Sequence, residues 1–456
     1  MKKEKAPKKK DALASLPVIN PKVAGTDVGS TVHYVCVPTA DGKSTDVHSF
    51  ATTTPQLRRL IALLQSRGVT SMAMESTSVY WIPLYEMLEA AGIEPVLVNA
   101  RQLHKVPGRK TDVADCQWIQ RLHACGLLRG SFRPGDDIAS VRSLTRQCAN
   151  LVADQARAVA WMQKALDQMN VQVHRAVTDL AGTTGLAIVR AIVAGERDAL
   201  KLAALRDPRC KKSVAQMTEY LEGTWKEEHL FNLEKALEQF DFFAAQIGAY
   251  EQRIRQKLEA LVPEERRGKP APIHPKAGPG NKKAADQPLR ATLWRMSGCD
   301  LTLIDGIGIG AAEVILTEVG PNLEAFPTED DFVSWMHLCP RTAISGGKPL
   351  AKKGKGTGAN RLGGLLRLGA RTLGKSKSAL GAEFRRVARR KNGAIAIFAL
   401  ARKLAKLVYR MLRYGQTYVD IGEKAEEERH LARRLHSLAN QAKEFGYQLI
   451  PRPVEG

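Results

Sequence analysis

The chain has 456 residues, 69 Lys and Arg against 47 Asp and Glu, and a formal net charge of +22. That length is enough for about three domains at ~150 residues each, and the charge calls for a polyanionic partner rather than an acidic surface. The seven cysteines are scattered and contain no C-x-x-C, which argues against a disulfide framework or a structural zinc site and for a reducing, cytoplasmic setting. No apolar run reaches the ~20 residues of a membrane span, and the lysine-rich start lacks the apolar core of a signal peptide.

Residues 1–20 open with six lysines in the first twelve positions and no apolar pattern, which reads as a disordered basic tail. From Val23 the pattern becomes short β segments: Val23 to Thr26 leading into Asp27, then His33 to Val37 and Thr45 to Phe50, with a turn at Asp41-Gly42. Leu57, Leu60, Ile61 and Leu64 predict a helix, Ser71 to Met74 a buried strand ending at Glu75, Trp81 to Ala91 a second helix, and Glu94 to Val98 another strand. Three antiparallel strands followed by strand-helix alternation is the order of a ribonuclease H-like α/β fold, expected over residues 21–137.

Lys110-Thr-Asp-Val-Ala-Asp115 then opens an amphipathic helix with Val113, Cys116, Ile119 and Leu122 as its apolar stripe. Asp112 and Asp115, at i and i+3, share a helix face. Two carboxylates that close repel unless a cation lies between them, and Asp27 and Glu75, each at a strand end, are the natural partners. The plainer reading is that Thr111 is an N-cap and that the two aspartates complement the positive end of the helix. Asp27 beside Gly29 is otherwise a turn residue, and Glu75 before Ser76-Thr77 a helix cap.

Residues 138–262 read as helical. Leu230, Leu233, Leu237, Phe240, Ala244, Ile247, Ile254, Leu258 and Leu261 alternate steps of three and four, with Glu251 at a seam position. A coiled-coil hairpin, closed within one chain or shared with a second copy, follows from this spacing. Residues 263–290, rich in Pro, Gly, Lys and Ala, are expected to form a linker or inserted loop. A mainly α-helical domain is expected over 291–420 and a helical tail over 421–456.

In that domain Asp305-Gly306-Ile-Gly308-Ile-Gly310 forms a glycine turn like that of a helix-hairpin-helix element, where backbone N–H groups meet a phosphate. The alternative is an αα-turn in which glycine supplies the left-handed residue. Between Arg341 and Arg413 stand twenty Lys or Arg and a single acid, Glu383. Arg341, Lys348, Lys352, Lys353, Lys355 and Arg361 are candidate nucleic-acid contacts, as are Arg109 and Lys110 farther upstream. Ser345 precedes Gly346-Gly347, where its hydroxyl can reach a bulky ligand, although turn chemistry alone also accounts for it.

The runs Glu75-Ser-Thr-Ser-Val-Tyr80, Val98-Asn-Ala-Arg101, Val106-Pro-Gly-Arg-Lys-Thr-Asp-Val-Ala-Asp115, Gly306-Ile-Gly308 and Pro340 to Ser345-Gly-Gly-Lys348 resemble, in this order, the DEDD transposases of the insertion sequence one-hundred-and-ten family. Ser78 stands where glycine is usual and Cys116 where alanine is usual, which affects packing rather than chemistry. The resemblance implies a DNA transposase guided by a structured bridge RNA. It implies Asp27, Glu75, Asp112 and Asp115 as ligands of two Mg²⁺ ions, with Mn²⁺ as a substitute. It also implies Ser345 as the nucleophile that forms a covalent phosphoserine intermediate, and action as a dimer or tetramer on donor and target DNA, away from any membrane. Two other readings are kept: a metal-dependent junction-resolving endonuclease in which Ser345 is idle, and a non-catalytic nucleic-acid-binding regulator.

Overall fold

The computed structural model describes residues 16–99, 111–275, 287–339, 344–345, 348–349 and 360–450, with the backbone alone at 287, 344, 345, 348 and 349. The basic start of the chain and the segment holding Arg109 and Lys110 lie outside these residues. So do Arg341, Lys352, Lys353 and Lys355. The described chain divides into two compact units, residues 1–133 and 134–456.

The first unit is a five-stranded mixed sheet covered on both faces. Its strands are β1 (Val23–Val28), β2 (Val32–Pro38), β3 (Thr45–Ala51), β4 (Ser71–Glu75) and β5 (Glu94–Val98), in the order β3-β2-β1-β4-β5. The first three form an antiparallel meander, and β4 and β5 extend it in parallel from β1. Parallel neighbours need crossovers, and helices α1 (Thr54–Ser66) and α2 (Ile82–Ala90) supply them. Their leucines pack with Ala24, Val28, Val35, Met72 and Met74 on one face of the sheet. Helix α3 (Asp112–Ala124) covers the other face, with Ile119 and Leu122 against Ala73 and Val98. Period-two alternation therefore sorts each strand into an α1/α2 side and an α3 side.

The second unit is helical. Helices α4 (Asp136–Gln168) and α9 (Glu227–Ala260) run antiparallel, since Gln155 Nε2 donates to the Phe240 carbonyl at 3.4 Å while Met162 and Leu166 share a core with Leu233 and Leu237. Four short helices fill the tip between them: α5 (Val173–Ala176), α6 (Thr183–Val193), α7 (Ala199–Ala204) and α8 (Val214–Leu221). The seam of α9 departs from the spacing read in sequence. Phe240, Phe243, Ile247 and Tyr250 are half-buried and Ile254 buried, whereas Ala244 and Glu251 are exposed. The three-four alternation thus passes through Phe243 and Tyr250, and Glu251 lies off the seam, ion-paired to Arg255 at 3.2 Å.

Residues 263–275 lie along the second unit rather than standing off it. The Arg266 guanidinium donates to the Arg295 carbonyl at 3.4 Å, and Arg290 donates to the Pro272 carbonyl at 2.7 Å while its Nε meets Asp300 at 2.8 Å in a buried ion pair. Helix α10 begins at Gln287, inside the stretch expected to be linker, and runs to Ser297. Then come α11 (Ile309–Val319), α12 (Glu329–Trp335), a two-residue ladder of β6 (Ile344–Ser345) and β7 (Lys348–Pro349), α13 (Arg361–Thr372), α14 (Ala379–Arg390), α15 (Gly393–Tyr414) and α16 (Gly422–Glu444). Helix α15 is the centre of this group: Tyr409, fully buried, donates to the Phe326 carbonyl at 2.8 Å and packs by Phe332. Among the described residues no helix is long and apolar enough to cross a membrane.

Candidate active site

The corner of the first unit where β1, β4 and α3 meet is built by a glycine. Gly25 has no room for a side chain: a Cβ there would strike the Gln120 amide nitrogen and lie 2.9 Å from the Cys116 carbonyl oxygen. Helix α3 therefore lies directly on β1. The Gln120 backbone lies over Gly25, beside the Cys116 carbonyl, and its side chain reaches back to Val23, with Nε2 donating to the Val23 carbonyl at 3.3 Å. One turn toward the helix start, Cys116 comes within reach of the charge of Asp27, and Asp112 stands a further turn along the same face.

Asp27 follows Thr26, which is paired with Met74 in the parallel ladder, so Asp27 and Glu75 are neighbours at the carboxyl ends of adjacent strands. Both belong to the α3 side. Thr26 and Met74 alternate to the other face, and Ser71, two places from Ala73 on the same side as Glu75, meets His123 of α3 with Oγ 2.9 Å from Nε2. The negative charge of Asp27 reaches the Cys116 thiol, whose pKa is pushed up to about 12, chiefly by burial and further by Cys36 and Asp27. Asp27, Glu75 and Asp115 are half-buried and Asp112 is exposed.

The start of α3 also behaves as ordinary helix chemistry requires. Thr111 is the N-cap, its Oγ1 accepting from the Ala114 amide at 3.2 Å, and Asp112 and Asp115 occupy the first turn. The positive end of the helix favours both carboxylates at these positions. As the side chains stand, no three His, Cys, Asp or Glu among the described residues come close enough to hold a metal ion. The donor chemistry nevertheless fits a hard divalent cation: four carboxylates on two strand ends and one helix, beside a cysteine kept as the thiol.

Behind Glu75 the chain turns sharply. The Ser76 amide donates to the Val98 carbonyl at 3.0 Å, and Ser78 has φ of 51°, in the left-handed region that glycine enters freely. The serine that departs from the family pattern thus sits where a glycine is easiest to accommodate. Cys116, the other departure, is fully buried between α3 and β1.

In the second unit, Ser345 pairs with Lys348 across the β6-β7 ladder, a tight hairpin with only two residues between its strands. The three glycines upstream separate into two roles. Gly306, with φ of 91°, backs onto α13, where a Cβ would come 2.9 Å from the Gly369 carbonyl oxygen, so its lack of a side chain serves packing. Gly308 is the N-cap of α11 with no side-chain cap, and both Gly308 and Gly310 face open space.

Arg361 has a carboxylate partner that sequence reasoning did not find. Glu318, 3 % exposed at the end of α11, is held by Arg142 Nε at 2.7 Å, Arg146 Nη2 at 2.8 Å and Arg361 Nη1 at 3.3 Å. Burial opposes its ionisation, yet the Arg146 hydrogen bonds and the charges of Arg142, Arg146 and Arg361 hold its pKa below the ordinary carboxylate value. The available signal was an acid four residues after Val314 on the buried stripe of an apolar helix. The basic stretch is also less bare than its composition suggests: on α15, Arg402, Lys403, Lys406, Arg410 and Arg413 pair with Asp330, Glu383, Glu329 and Glu324. Among the described residues Arg371, Lys375, Lys377, Arg389, Arg390 and Lys391 pair with no carboxylate, which moves the free positive charge onto α13, α14 and the turns beside them.

Two family models match the chain. One, for a transposase of the DEDD, IS110 type, covers residues 24–171 and so spans all four carboxylates. The other, described as Transposase IS116/IS110/IS902 family, covers residues 300–384 and includes the glycine turn, Ser345 and Arg361. No curated protein matches the chain.

Proposed function

Because the chain belongs to the IS110 family of transposases, we propose that it cuts and rejoins DNA strands by transfer to Ser345, with Asp27, Glu75, Asp112 and Asp115 as the metal-binding acids of a ribonuclease H-like domain. The observation that carries this reading is the sharing of one corner by Asp27 and Glu75, adjacent on parallel strands and facing the helix that opens with Asp112 and Asp115. Magnesium held there would polarise the attacked phosphate and stabilise the leaving oxygen.

The Ser345 hydroxyl attacks phosphorus, a phosphoserine ester replaces the phosphodiester, and the departing strand leaves as a free hydroxyl end that takes up a proton. Attack by the hydroxyl of another strand reverses the step and reseals the backbone, so no bond is lost to water. Ser345 belongs to the second unit, and the acids that serve it come from the same chain or from a second copy in a dimer or tetramer. Lys348 beside it, the backbone of Gly308 and Gly310, and the basic residues around Arg361 supply contacts to phosphate, which orient the strands without reading sequence. Sequence choice then falls to a structured guide RNA paired with donor and target DNA.

The test is to trap the covalent adduct. Full-length protein, with the RNA that co-purifies and is sequenced, is incubated with DNA and Mg²⁺ and resolved under denaturing conditions. Protein-linked nicked DNA is expected from the native chain, none from Ser345→Ala, and no cleavage from Asp112→Asn combined with Asp115→Asn. Undiminished cleavage by Ser345→Ala would reject serine transfer in favour of hydrolysis.

A further inference from the structure

Helix α16 is divided into two halves with different surroundings. Its first turns are docked on α14: Glu426, the one buried residue of the helix, takes Arg386 at 3.0 Å and its own Arg433 at 3.1 Å, and Glu423 pairs with Arg385. From Leu431 onward the helix leaves this support, and residues 431–441 are exposed all round. An unsupported helix this short is marginal in water. Yet it ends on a formed cap, with Gly446 at φ of 79° and the Tyr447 amide donating to the Ala442 carbonyl at 2.8 Å, the geometry of a Schellman motif.

The exposed half carries an apolar seam. Leu431, Leu435, Leu438, Ala442 and Phe445 follow steps of four, three, four and three, and the four large side chains among them are 45–78 % exposed. Continuing the same register backward gives Glu428 and Lys424, so the seam starts where docking on α14 stops. A stripe of this period is made for a partner helix.

We infer that α16 pairs antiparallel with α16 of a second copy of this chain, as a self-association surface separate from the α4-α9 hairpin. Antiparallel pairing about the midpoint between His436 and Ser437 sets Leu435 against the partner's Leu438 and Leu431 against the partner's Ala442, a large residue facing a small one. The flanking positions agree: Ala432 and Ala439 leave room for close approach, and Arg434 falls beside the partner's Gln441. Parallel pairing instead stacks Glu428 on Glu428 and brings two strongly basic bodies to the same end of the coil, whereas the antiparallel arrangement separates them and opposes the helix dipoles. Two heptads bury less than the ~800 Å² per partner of a standard stable interface. The association on its own is therefore weak and gains when two chains are already held on one nucleic acid.

The experiment uses full-length protein stripped of nucleic acid, with mass measured by sedimentation at tens of micromolar. The native chain is expected to associate, and Leu435→Asp combined with Leu438→Asp to halve the order of assembly and lose part of the helix content of residues 431–444, while the cooperative melting transition of the rest of the chain is kept. A native chain that stays monomeric, or a double variant that assembles to the same order, overturns the inference. Orientation is read by cysteine cross-linking. An equimolar mixture of Leu435→Cys and Leu438→Cys chains is expected to cross-link to each other, and efficient cross-linking of Leu435→Cys with itself overturns the antiparallel arrangement.

Discussion

Gly25 governs how near α3 comes to β1, and with it the distance from Asp27 to the aspartates of the helix. In Gly25→Ala the new methyl meets backbone atoms of Cys116 and Gln120, which cannot rotate away, so the helix must lift. Overpacking of this kind costs about 1–3 kcal/mol, and DNA cleavage should fall far more than the thermal midpoint does. Cleavage equal to the native rate would show that the corner does not depend on this contact. Glu318 has the opposite character, one buried anion shared by three guanidiniums. Glu318→Gln keeps the shape and removes the counter-charge, which should cost about 2–3 kcal/mol by urea unfolding, the figure held down because Arg146 is half-exposed. No change in the unfolding midpoint would mean that solvent already screens the cluster. The places of the four acids, two near strand ends and two in the first turn of a helix, were legible in the sequence because the strand ends and an i,i+3 spacing mark them. Gly25 and Glu318 were not singled out: a glycine inside a strand marks close backbone approach only when the neighbour is known, and one acid among many arginines draws no notice.

At the level of elements, the meander, the two parallel strands and their crossover helices could be read from period-two runs bounded by turns. The α4-α9 hairpin could be read only in outline. Alternating three-four steps fit two registers equally well between Phe240 and Ile254, one through Ala244 and Glu251 and one through Phe243 and Tyr250, and a period cannot choose between them when both contain apolar residues. The four short helices at the tip were invisible for a related reason, because their apolar residues serve one shared core rather than a repeating stripe. The two registers share Leu233 and part at Glu251. Leu233→Ala, in the buried core of the tip, should cost about 2–5 kcal/mol. Glu251→Leu should change stability by less than about 0.5 kcal/mol, as expected at an exposed site. A marked stabilisation by Glu251→Leu, measured by thermal unfolding, would restore Glu251 to the seam.

Over the whole molecule the charge of +22 is unevenly expressed, since α15 answers its cations with acids from neighbouring segments while α13 and α14 pair Arg361, Arg385 and Arg386 and leave Arg371, Arg389 and Arg390 without a carboxylate among the described residues. Composition reported the sum and could not report the pairing. In the first unit His33, with Nδ1 buried and without a hydrogen-bond partner, and His123, against Ser71, both have pKa values lowered by burial from the ordinary 6.5. A histidine with a depressed folded pKa binds fewer protons folded than unfolded in the window below 6.5, so stability is fully present above that value and is lost as the pH falls through the folded pKa. Hydrogen exchange of the full-length protein should therefore show the β1, β2 and β4 amides losing protection as the pH falls below 6.5, beyond the change expected from chemistry alone. In His33→Gln combined with His123→Gln the absolute protection will differ, but the dependence on pH should flatten. An unchanged slope in that variant would assign the acid sensitivity to carboxylates instead.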